Sequence, residues 1–371
     1  MKKKLMVVGA FPRPGVQIYG GVVTSCRTLL DSSFSDHYEF VLIDSTQISN
    51  PPPSIAVRCI FAFKRTVRFV TTLLRERPDA VLLFTSGGSS LLEKGAMSWL
   101  VRMRRVPVFL FPRAAALIQK VQGSFFQRVW VVAVMRGATH ILCQGPAWQR
   151  FAIDVLGYSQ STAPIIQNWT ATKNLLTIGG ARNLESERGV PRLLFLGWLE
   201  RAKGCFELLE ACLLLSKRYE FRLTIAGRGY AENEARDFVF THGLEDIIEF
   251  AGWVQGDVKD GLLAKSDILV LPSWAEGFPN VIVEAMAAKL AVIVTTVGNV
   301  PGLIVDREQA FLVPPKDHMA LASAIEELLL NPELRIELAD RGYDFARNNF
   351  SVDQAVVKLI KVIDTAITER G

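Results

Sequence analysis

The stretch PSWAEGFPNVIVEAMAAKLAVIVTTVG, residues 272–298, predicts a strand end, a loop, a short helix and a second strand. The apolar run Ile268–Leu271 before it is typical of a buried strand. Pro279 suits the first turn of a helix, where a missing N–H is tolerated, and Val281–Lys289 is predicted as that helix. Ala291–Thr296 is predicted as the next buried strand. This order of elements indicates one unit of a parallel α/β sheet.

Two carboxylates lie eight positions apart in this stretch, with Glu276 in the loop and Glu284 inside the predicted helix. Ionised carboxylates only accept hydrogen bonds, so they suit the vicinal hydroxyl groups of a sugar or ribose. Free N–H groups at a helix N-terminus favour an anion nearby. These residues alone fit a sugar-nucleotide site, and they fit equally an ordinary βαβ turn with two surface glutamates.

The segment EGFPNVIVEAMA, residues 276–287, resembles the E-x7-E signature of glycosyltransferase family 4, the retaining GT-B enzymes also called glycosyl transferases group 1. The resemblance includes the Pro-Ser pair before the loop and the strand and Gly298 after the helix. It implies that Glu276 binds the sugar hydroxyls or stabilises the positive charge on the sugar ring, and that Glu284 binds the ribose. It also implies donor contacts from the residues between them: Gly277, Phe278, Pro279 and Asn280.

A second candidate element, Gly197–Gly204, lies between the predicted strand Arg192–Leu196 and a helix predicted from Phe206 to Lys217. Arg201 and Lys203 precede that helix N-terminus. Two cations, free amides and the helix dipole favour an anion at one point, and each charge-assisted hydrogen bond contributes about 1.5–3 kcal/mol. An R-x-K pair alone also fits an ordinary surface. The flanking glycines resemble the family's G-x3-R-x-K-G element, which implies a pyrophosphate site.

Further donor contacts are predicted on two later loops. Gly227 and Arg228 follow the predicted strand Arg222–Ala226, at the position where relatives bind the nucleotide. Val254 follows the predicted strand Glu249–Gly252, where relatives hold the base with backbone groups. A lone G-x-G is a weak signal without this context.

A glycine pair, Gly20-Gly21, follows the predicted strand Lys4–Ala10 and precedes a helix starting near Val22. Glycine at such a turn lets backbone approach a phosphate closely, although a Gly-Gly pair is also a common turn. Family members carry a glycine loop here that faces the donor phosphates, so the resemblance implies the same role.

Arg113 follows the predicted strand Val106–Phe111, at a position where many relatives carry a His that contacts the transferred sugar. Because Arg113 replaces that His, the resemblance alone does not imply a contact with the transferred sugar at this position. The guanidinium of an arginine can bind an anionic sugar or a phosphorylated acceptor through two hydrogen bonds. A structural salt bridge is the alternative role for Arg113. His140, where relatives often carry Asp, is interpreted as structural.

The charge of the chain is unevenly distributed. Its net charge is +5, but residues 51–150 contain 15 Lys and Arg against three acids, a local balance of +12. A basic surface attracts nucleic acid, anionic lipid or a phosphorylated substrate. No nucleic-acid-reading motif accompanies it, and Arg102, Arg104 and Arg105 beside Trp99 suit a membrane-surface helix. A solvated charged face is the alternative.

Strand–helix alternation through 371 residues predicts an α/β protein of two doubly wound Rossmann-like domains. The resemblance implies the GT-B fold, with the domains facing across a cleft and the last helix returning to the first domain. We expect an N-terminal acceptor-binding domain at 1–169, a polar linker at 170–190, a nucleotide-sugar domain at 191–350 and the returning helix at 351–371.

Composition indicates a reducing compartment, because the five cysteines are scattered and include no C-x-x-C motif. The sequence contains no run of about 18 apolar residues, so no transmembrane span is predicted. We therefore expect a cytoplasmic location, or one at the inner face of the plasma membrane.

The resemblance implies retaining transfer of a sugar from a UDP- or GDP-sugar to a hydroxyl of a glycan or polyprenyl-diphosphate-linked acceptor, as in bacterial surface polysaccharide or lipopolysaccharide biosynthesis. The first half has no evident second carboxylate, which favours a same-face path over double displacement. There is no D-x-D motif, and the cations at 201 and 203 predict that neither metal nor another cofactor is needed. Alternatives are a sugar-nucleotide epimerase, a phosphorylase, or a non-catalytic polysaccharide-assembly subunit on the same fold.

Overall fold

The computed structural model describes residues 2–11, 21–46, 54–113, 117–118, 121, 125–184, 189–276 and 278–370. The chain divides into two compact units. The first contains Met1–Thr170 together with Val352–Gly371, and the second contains Ala171–Ser351.

The first unit is built on a parallel sheet with strand order β2-β1-β3-β4-β5. Its strands are β1 Lys3–Gly9, β2 Tyr38–Asp44, β3 Ala80–Thr85, β4 Val108–Pro112 and β5 His140–Ile141. Its helices before the second unit are α1 Gly21–Leu30, α2 Phe34–His37, α3 Ile55–Glu76, α4 Ser89–Met103, α5 Phe125–Met135 and α6 Pro146–Asp154. Every residue of β3 and β4 is buried, as expected for central parallel strands that helices cover on both faces.

The alternation of side chains along β1 shows that the sheet has a core on each face. Leu5 and Val7 belong to one buried cluster, and Met6 and Val8 belong to another. Successive residues of a strand point to opposite faces, so two apolar layers form on one sheet, and this is a doubly wound arrangement.

The last helix of the chain, α14 Val352–Thr368, packs on the first unit. Leu359 and Ile363 are fully buried in the same cluster as Leu5. Asp364 accepts hydrogen bonds of 3.0 Å from Lys3 Nζ and from Tyr38 Oη. The predicted return of the C-terminal helix to the N-terminal domain is confirmed.

The second unit has a parallel sheet of order β11-β10-β9-β6-β7-β8. Its strands are β6 Arg192–Leu196, β7 Arg222–Ala226, β8 Ile248–Gly252, β9 Ile268–Leu271, β10 Ala291–Thr295 and β11 Phe311–Val313. Its helices are α7 Lys173–Ala181, α8 Cys205–Leu215, α9 Glu232–Thr241, α10 Gly256–Lys265, α11 Asn280–Ala287, α12 His318–Leu330 and α13 Pro332–Phe350, with 3-10 turns at Arg201–Lys203 and Val300–Gly302. Counted from β6, this is the Rossmann strand order, which reverses between β6 and β9.

The segment predicted as a linker, 170–190, contains α7. Thr172 begins the helix, because its side chain accepts a hydrogen bond from the Leu175 N–H. Leu175 and Gly179 are buried, and Tyr343 Oη donates to the Leu176 carbonyl oxygen at 3.0 Å. Gly179 and Gly180, which contributed to the linker prediction, therefore lie in a helix of the second unit. No local sequence pattern indicates its contact with Tyr343.

Three other predictions from local sequence pattern differ from the structure. They are an amphipathic helix over Arg65–Arg77, a strand over Ala163–Gln167, and an apolar helix over Ser124–Arg136 that lies in the core or on the N-terminal sheet, with a membrane contact as the alternative. The helix predicted from Arg65 begins ten residues earlier, at Ile55. The predicted strand Ala163–Gln167 is reduced to an isolated bridge between Cys143 and Ile165. The apolar helix α5 buries Val131 and Met135 but leaves Phe125 and Phe126 74% and 85% exposed. Among the helices that the structure describes, none combines the length and apolar character that a membrane span requires.

Candidate functional site

The carboxyl edge of the second sheet brings together the loops that carry most of the predicted site residues. Because the strands are parallel, the loops after β6, β7, β8 and β9 leave the sheet at one edge. Backbone hydrogen bonds link these loops: Leu199 N–H donates to Arg228 O at 2.9 Å, and Trp274 N–H donates to Ala202 O at 2.9 Å. Ligands of open α/β sheets bind at this edge, at the point where the strand order reverses. Here that point lies between β6 and β9.

Gly204 joins the R-x-K turn to helix α8 and lets it approach the loop after β9. Its φ is +74°, and a Cβ at this position would lie 2.0 Å from the Pro272 carbonyl oxygen. Any other residue at position 204 would have a strained backbone conformation, and its Cβ would collide with the Pro272 carbonyl oxygen. Glycine at 204 therefore allows the close approach of the two loops that brings Lys203 to Glu276.

Lys203 and Glu276 form an ion pair across this junction. Lys203 Nζ lies 2.5 Å from Glu276 Oε1, and their side chains are 24% and 15% exposed. Ser273 Oγ donates to the same carboxylate oxygen at 3.1 Å, and Thr295 Oγ1 in turn donates to the Ser273 carbonyl oxygen at 2.5 Å. The carboxylate therefore has a defined orientation, with a cation beside it, at the switch point of the sheet.

A tryptophan that the sequence analysis did not single out holds the same loop. Trp274 Nε1 donates to Glu207 Oε1 at 2.8 Å, and Lys316 Nζ lies 4.5 Å from the centre of the Trp274 ring. Glu207 is in the first turn of α8, so its charge is favourable there. This contact fixes the loop that carries Glu276 on the helix that follows Lys203.

Glu284 lies within α11, as predicted, and is 7% exposed. Its partner is Lys259, whose Nζ lies 2.9 Å from Glu284 Oε1. Lys259 is on α10, a helix that the sequence analysis did not predict. No local pattern connects the two positions, so only the packed structure shows that this acid is paired.

Arg201 has a different partner from Lys203. Its guanidinium pairs with Glu234 of α9 and lies 4.6 Å from the centre of the Phe206 ring, and its backbone N–H donates to Tyr230 Oη at 3.2 Å. About half of each side chain in the ion pair is exposed. Such surface pairs contribute about 0–1 kcal/mol, so a phosphate can replace Glu234 as the partner of Arg201 at little loss.

The predicted nucleotide loops are also at this edge. Gly227 N–H donates to the Gly252 carbonyl oxygen at 2.7 Å, and a Cβ on Gly227 would lie 1.8 Å from the Gly197 carbonyl oxygen. Arg228 has an exposed side chain without an ion-pair partner in the part of the chain that the structure describes. Val254 is partly buried against the core of the second unit.

The residues between the two glutamates have clear structural positions, except Gly277, which lies outside the described residues. The Phe278 ring stacks on Phe350, with ring centres 5.4 Å apart. Pro279 directly precedes α11, which begins at Asn280 and ends at Ala287. The proline therefore caps the helix and is not inside its first turn, because its extended ψ of 126° is not helical.

In the first unit, Gly20 lies outside the described residues, and Gly21 is the first residue of α1. Arg113 directly follows β4. Its guanidinium donates to Asn168 Oδ1 at 2.7 Å and to Ser25 Oγ at 2.8 Å. No ion pair involving Arg113 is present within the described ranges, so the structural salt bridge considered for it is not formed there.

His140 is structural in character. It stacks on Phe109 with ring centres 4.7 Å apart, and burial lowers the pKa of its imidazole to about 4. Within the described ranges no group of three or more His, Cys, Asp or Glu side chains is arranged to hold a metal ion.

Comparison with known proteins shows which family this part of the chain is similar to. Residues 181–345 match the model of glycosyl transferases group 1. The lipopolysaccharide core biosynthesis glycosyltransferase LpsE of Rhizobium meliloti is 28% identical over 245 residues, which cover 65% of this chain and 70% of LpsE. Against several other curated glycosyltransferases the chain spans about half of the relative's length, from 43% to 47%.

Solved structures show the same fold over nearly the whole chain. Sucrose-phosphate synthase from Thermosynechococcus elongatus superposes with a TM-score of 0.76 at 16% identity, covering 99% of this chain and 100% of that one. Anabaena HepE, solved in complex with UDP, gives a TM-score of 0.71 at 18% identity over 98% of this chain and 100% of HepE. The predicted pair of Rossmann-like domains is thereby confirmed.

Proposed function

We propose that this chain, whose residues 181–345 belong to the glycosyl transferases group 1, transfers a sugar from a nucleoside-diphosphate sugar to an acceptor hydroxyl with retention of the anomeric configuration. The observation that carries the proposal is the Lys203–Glu276 ion pair at the switch point of a Rossmann-ordered sheet. Cation and carboxylate are the two charges that a diphosphate and a sugar require at one place.

The donor is assigned to the carboxyl edge of the second sheet. Arg201 and Lys203 bind the diphosphate, Glu284 holds the ribose, and Glu276 binds the sugar hydroxyls. The loops with Gly227, Arg228 and Val254 bind the nucleotide, and residues 277–280 are assigned to further donor contacts. HepE was solved with UDP and with UDP-glucose, which supports a UDP-sugar as the first donor to test, with GDP-sugars second.

The reaction proposed is a same-face substitution. The bond between the anomeric carbon and the β-phosphate oxygen breaks, and the acceptor oxygen forms its bond to that carbon on the face the phosphate leaves. The departing phosphate oxygen takes the acceptor proton, so atoms and charge balance. Negative charge grows on the phosphate as the bond lengthens, and Lys203 and Arg201 stabilise that charge by electrostatic preorganisation. Glu276 stabilises the positive charge on the sugar ring.

The test begins with thermal shift of the full chain against UDP, GDP, ADP and their hexose sugars, because only a ligand that prefers the folded state raises the melting temperature. The donor that shifts it is then incubated with and without a lipid-linked acceptor, and the anomeric configuration of the product is read by NMR. An α-linked product from an α-linked donor supports the proposal. Inversion, epimerised donor without acceptor, or no turnover with any donor overturns it.

LpsE is named for lipopolysaccharide core biosynthesis, and this supports a surface glycan or a polyprenyl-diphosphate-linked glycan as the acceptor. Such an acceptor lies at a membrane, and one surface of the first unit suits that location. Helices α3, α4 and α5 are joined there: Arg65 pairs with Glu93 at 2.5 Å, and Trp99 Nε1 donates to the Ala133 carbonyl oxygen at 3.0 Å.

This three-helix surface combines large exposed apolar side chains with basic ones. Phe63, Met103 and Phe126 are 71%, 72% and 85% exposed. The exposed cations among them include Arg58, Lys64, Arg68, Arg102, Arg104, Arg105 and Arg128. Aromatic side chains beside cations suit the interface of an anionic bilayer. Dimerisation through this surface would place basic side chains of the two copies against each other. We therefore assign the surface to anionic lipid at the cytoplasmic membrane face.

Flotation of the full chain with liposomes tests this assignment. We expect binding to vesicles containing about one-third phosphatidylglycerol and little binding to pure phosphatidylcholine, with loss of binding in Phe125→Ser/Phe126→Ser. Phe240→Ser removes an equally exposed Phe (76%) in the second unit and is the control. Equal binding by wild type and the double variant, or no binding to either vesicle, contradicts the assignment.

A further inference from the structure

Arg113 is a cation without an acidic partner in its own unit. The described residues of the first unit place no carboxylate within ion-pair distance of its guanidinium. The undescribed residues of that unit, 1, 12–20, 47–53, 114–116, 119–120, 122–124 and 371, include no Asp or Glu. The first unit therefore does not neutralise this charge with a carboxylate, although charged side chains away from solvent are normally paired.

Among the described residues, the side chains that contact the guanidinium are neutral. Asn168 and Ser25 accept from Nη1 and Nη2, and with its amide rotated, Gln144 accepts from Nε and Nη1 at 3.0 and 3.1 Å. The rings of Phe111 and Trp169 lie 5.2 and 5.9 Å from the guanidinium carbon. These contacts account for four of the five guanidinium N–H groups. They orient the cation. Within the described part of the chain they leave one N–H of Nη2 without an acceptor and the positive charge without a counter-ion.

The nearby thiol does not supply the missing charge. Burial raises the pKa of Cys26 to about 12, so it stays protonated at neutral pH. Burial also lowers the pKa of Arg113, to about 10, because the protein around it solvates the cation less well than water does. Arg113 remains charged at neutral pH, and an anion beside it gains more than it would at an exposed arginine.

Arg113 also lies where a ligand of this sheet is expected. It directly follows β4, and its backbone N–H donates to the Thr85 carbonyl oxygen of β3 at 2.7 Å. The strand order β2-β1-β3-β4-β5 reverses between β1 and β3. Open α/β sheets bind ligands outside the carboxyl ends of the strands at such a reversal, and Arg113 stands one strand away from it.

We propose that Arg113 binds an oxyanion of the substrate, a phosphate or a carboxylate, and so selects an anionic substrate. This inference rests on the proposed function, since it names the chemical class of one of the two substrates. Three oxyanions fit this description: a nucleoside diphosphate, a carboxylate on a sugar, or the phosphate of a lipid-linked acceptor. In each case the free N–H of Nη2 donates to the oxyanion, and the neutral side chains hold the guanidinium in place.

The experiment measures affinities by isothermal titration calorimetry for the full chain and for Arg113→Gln, which removes the charge and keeps a hydrogen-bond donor. Three probe pairs separate the sources: UDP against uridine, UDP-glucuronate against UDP-glucose, and geranyl phosphate against geraniol. Arg136→Gln is the control, because Arg136 of the same unit donates to a neutral acceptor, the Leu156 carbonyl oxygen, at 3.0 Å.

For one probe pair we expect the member that carries the tested oxyanion to bind Arg113→Gln at least about tenfold more weakly, as a lost charge-assisted hydrogen bond implies. The member that lacks this oxyanion should change by less than about twofold. The pair that responds identifies the source. Unchanged affinity for every anionic probe means that Arg113 is only structural and overturns the proposal. If Arg113→Gln does not fold, Arg113→Lys and Arg113→His are compared, and only the lysine variant is expected to keep the anion preference.

Failure of the Arg113 proposal can be distinguished from failure of the glycosyltransferase proposal. Lys203→Ala removes the donor site in the second unit, so geranyl phosphate binding that survives in Lys203→Ala and disappears in Arg113→Gln supports the Arg113 site independently. Donor binding that needs Lys203 but is the same in Arg113→Gln for all three probe pairs supports the glycosyltransferase proposal and overturns this one.

Discussion

Lys203 Nζ and Glu276 Oε1 lie 2.5 Å apart, although the two residues are separated by 73 positions in the chain. The lysine comes from the turn after β6 and the glutamate from the loop after β9. Each charge stabilises the other where both are mostly removed from solvent. A substitution at either position therefore changes the remaining partner as well as the substituted group.

Replacing Lys203 by Ala is expected to lower kcat by about 10² to 10³, the loss typical of removing one preorganised group that stabilises transition-state charge. Since the interaction strengthens as the phosphate leaves, kcat falls more than KM rises. Steady-state kinetics with the donor found by thermal shift measures both.

The control for Lys203 is Arg218→Ala, which removes an exposed cation of the same unit that pairs with Glu326. It should leave kcat within about twofold, since surface ion pairs contribute little. Full turnover by both Lys203→Ala and Arg201→Ala would show that the leaving diphosphate is not stabilised by these two cations.

Gly204→Ala is expected to destabilise the second unit more than Gly243→Ala does. Both glycines have positive φ, +74° and +64°, but a Cβ on Gly204 would lie 2.0 Å from a backbone oxygen, whereas a Cβ on Gly243 has nothing within 4 Å. Gly243→Ala, the control, should therefore lose only the backbone strain, about 1–2 kcal/mol of the free energy of unfolding. Gly204→Ala should lose more, because its Cβ also displaces the loop after β9. Urea unfolding gives both values, and equal losses would contradict the close approach.

Lys259→Met is expected to weaken donor binding without a large effect on the chemical step. Lys259 holds the mostly buried carboxylate of Glu284 at 2.9 Å, and Glu284 is assigned to the ribose. Removing the lysine leaves that mostly buried carboxylate without its cation and disturbs its position. We expect KM for the donor to rise about tenfold with kcat within about threefold, as for loss of uniform binding. A fall in kcat with unchanged KM would place Lys259 in the chemical step.

Stability of the first unit is expected to fall as the pH decreases from about 7 to 5, because of His140. Burial lowers the pKa of its imidazole to about 4, whereas the unfolded chain titrates near 6.5. Between these values the unfolded state binds the proton and the folded state does not, so acidification favours unfolding, by about 1–2 kcal/mol between pH 7 and 5.

His140→Gln removes this proton uptake, so its free energy of unfolding should depend less on pH than that of the wild type. Urea unfolding at pH 7 and pH 5 measures the difference for each protein. Parallel pH dependence of the two proteins would show that His140 does not titrate on unfolding.

Local patterns predicted several strands of the second unit to the residue. Arg192–Leu196, Arg222–Ala226 and Ile268–Leu271 were each read from an apolar run bounded by turn residues. The same patterns failed for the stretch 170–190, where polar composition and two glycines suggested a linker and the structure contains α7. That helix is stabilised by packing against residues more than a hundred positions away, such as Tyr343.

By itself the sequence determined the residue types of the site, the loops that carry them and the family those loops resemble, because glycine turns, cations before a helix and carboxylate spacing are local properties. Only the tertiary structure decided the partners: Lys203 with Glu276, Glu284 with Lys259, and Arg113 among neutral side chains. Ion pairing depends on distance in space and on burial. Both are set by strand order and loop packing, which join positions that no local pattern relates.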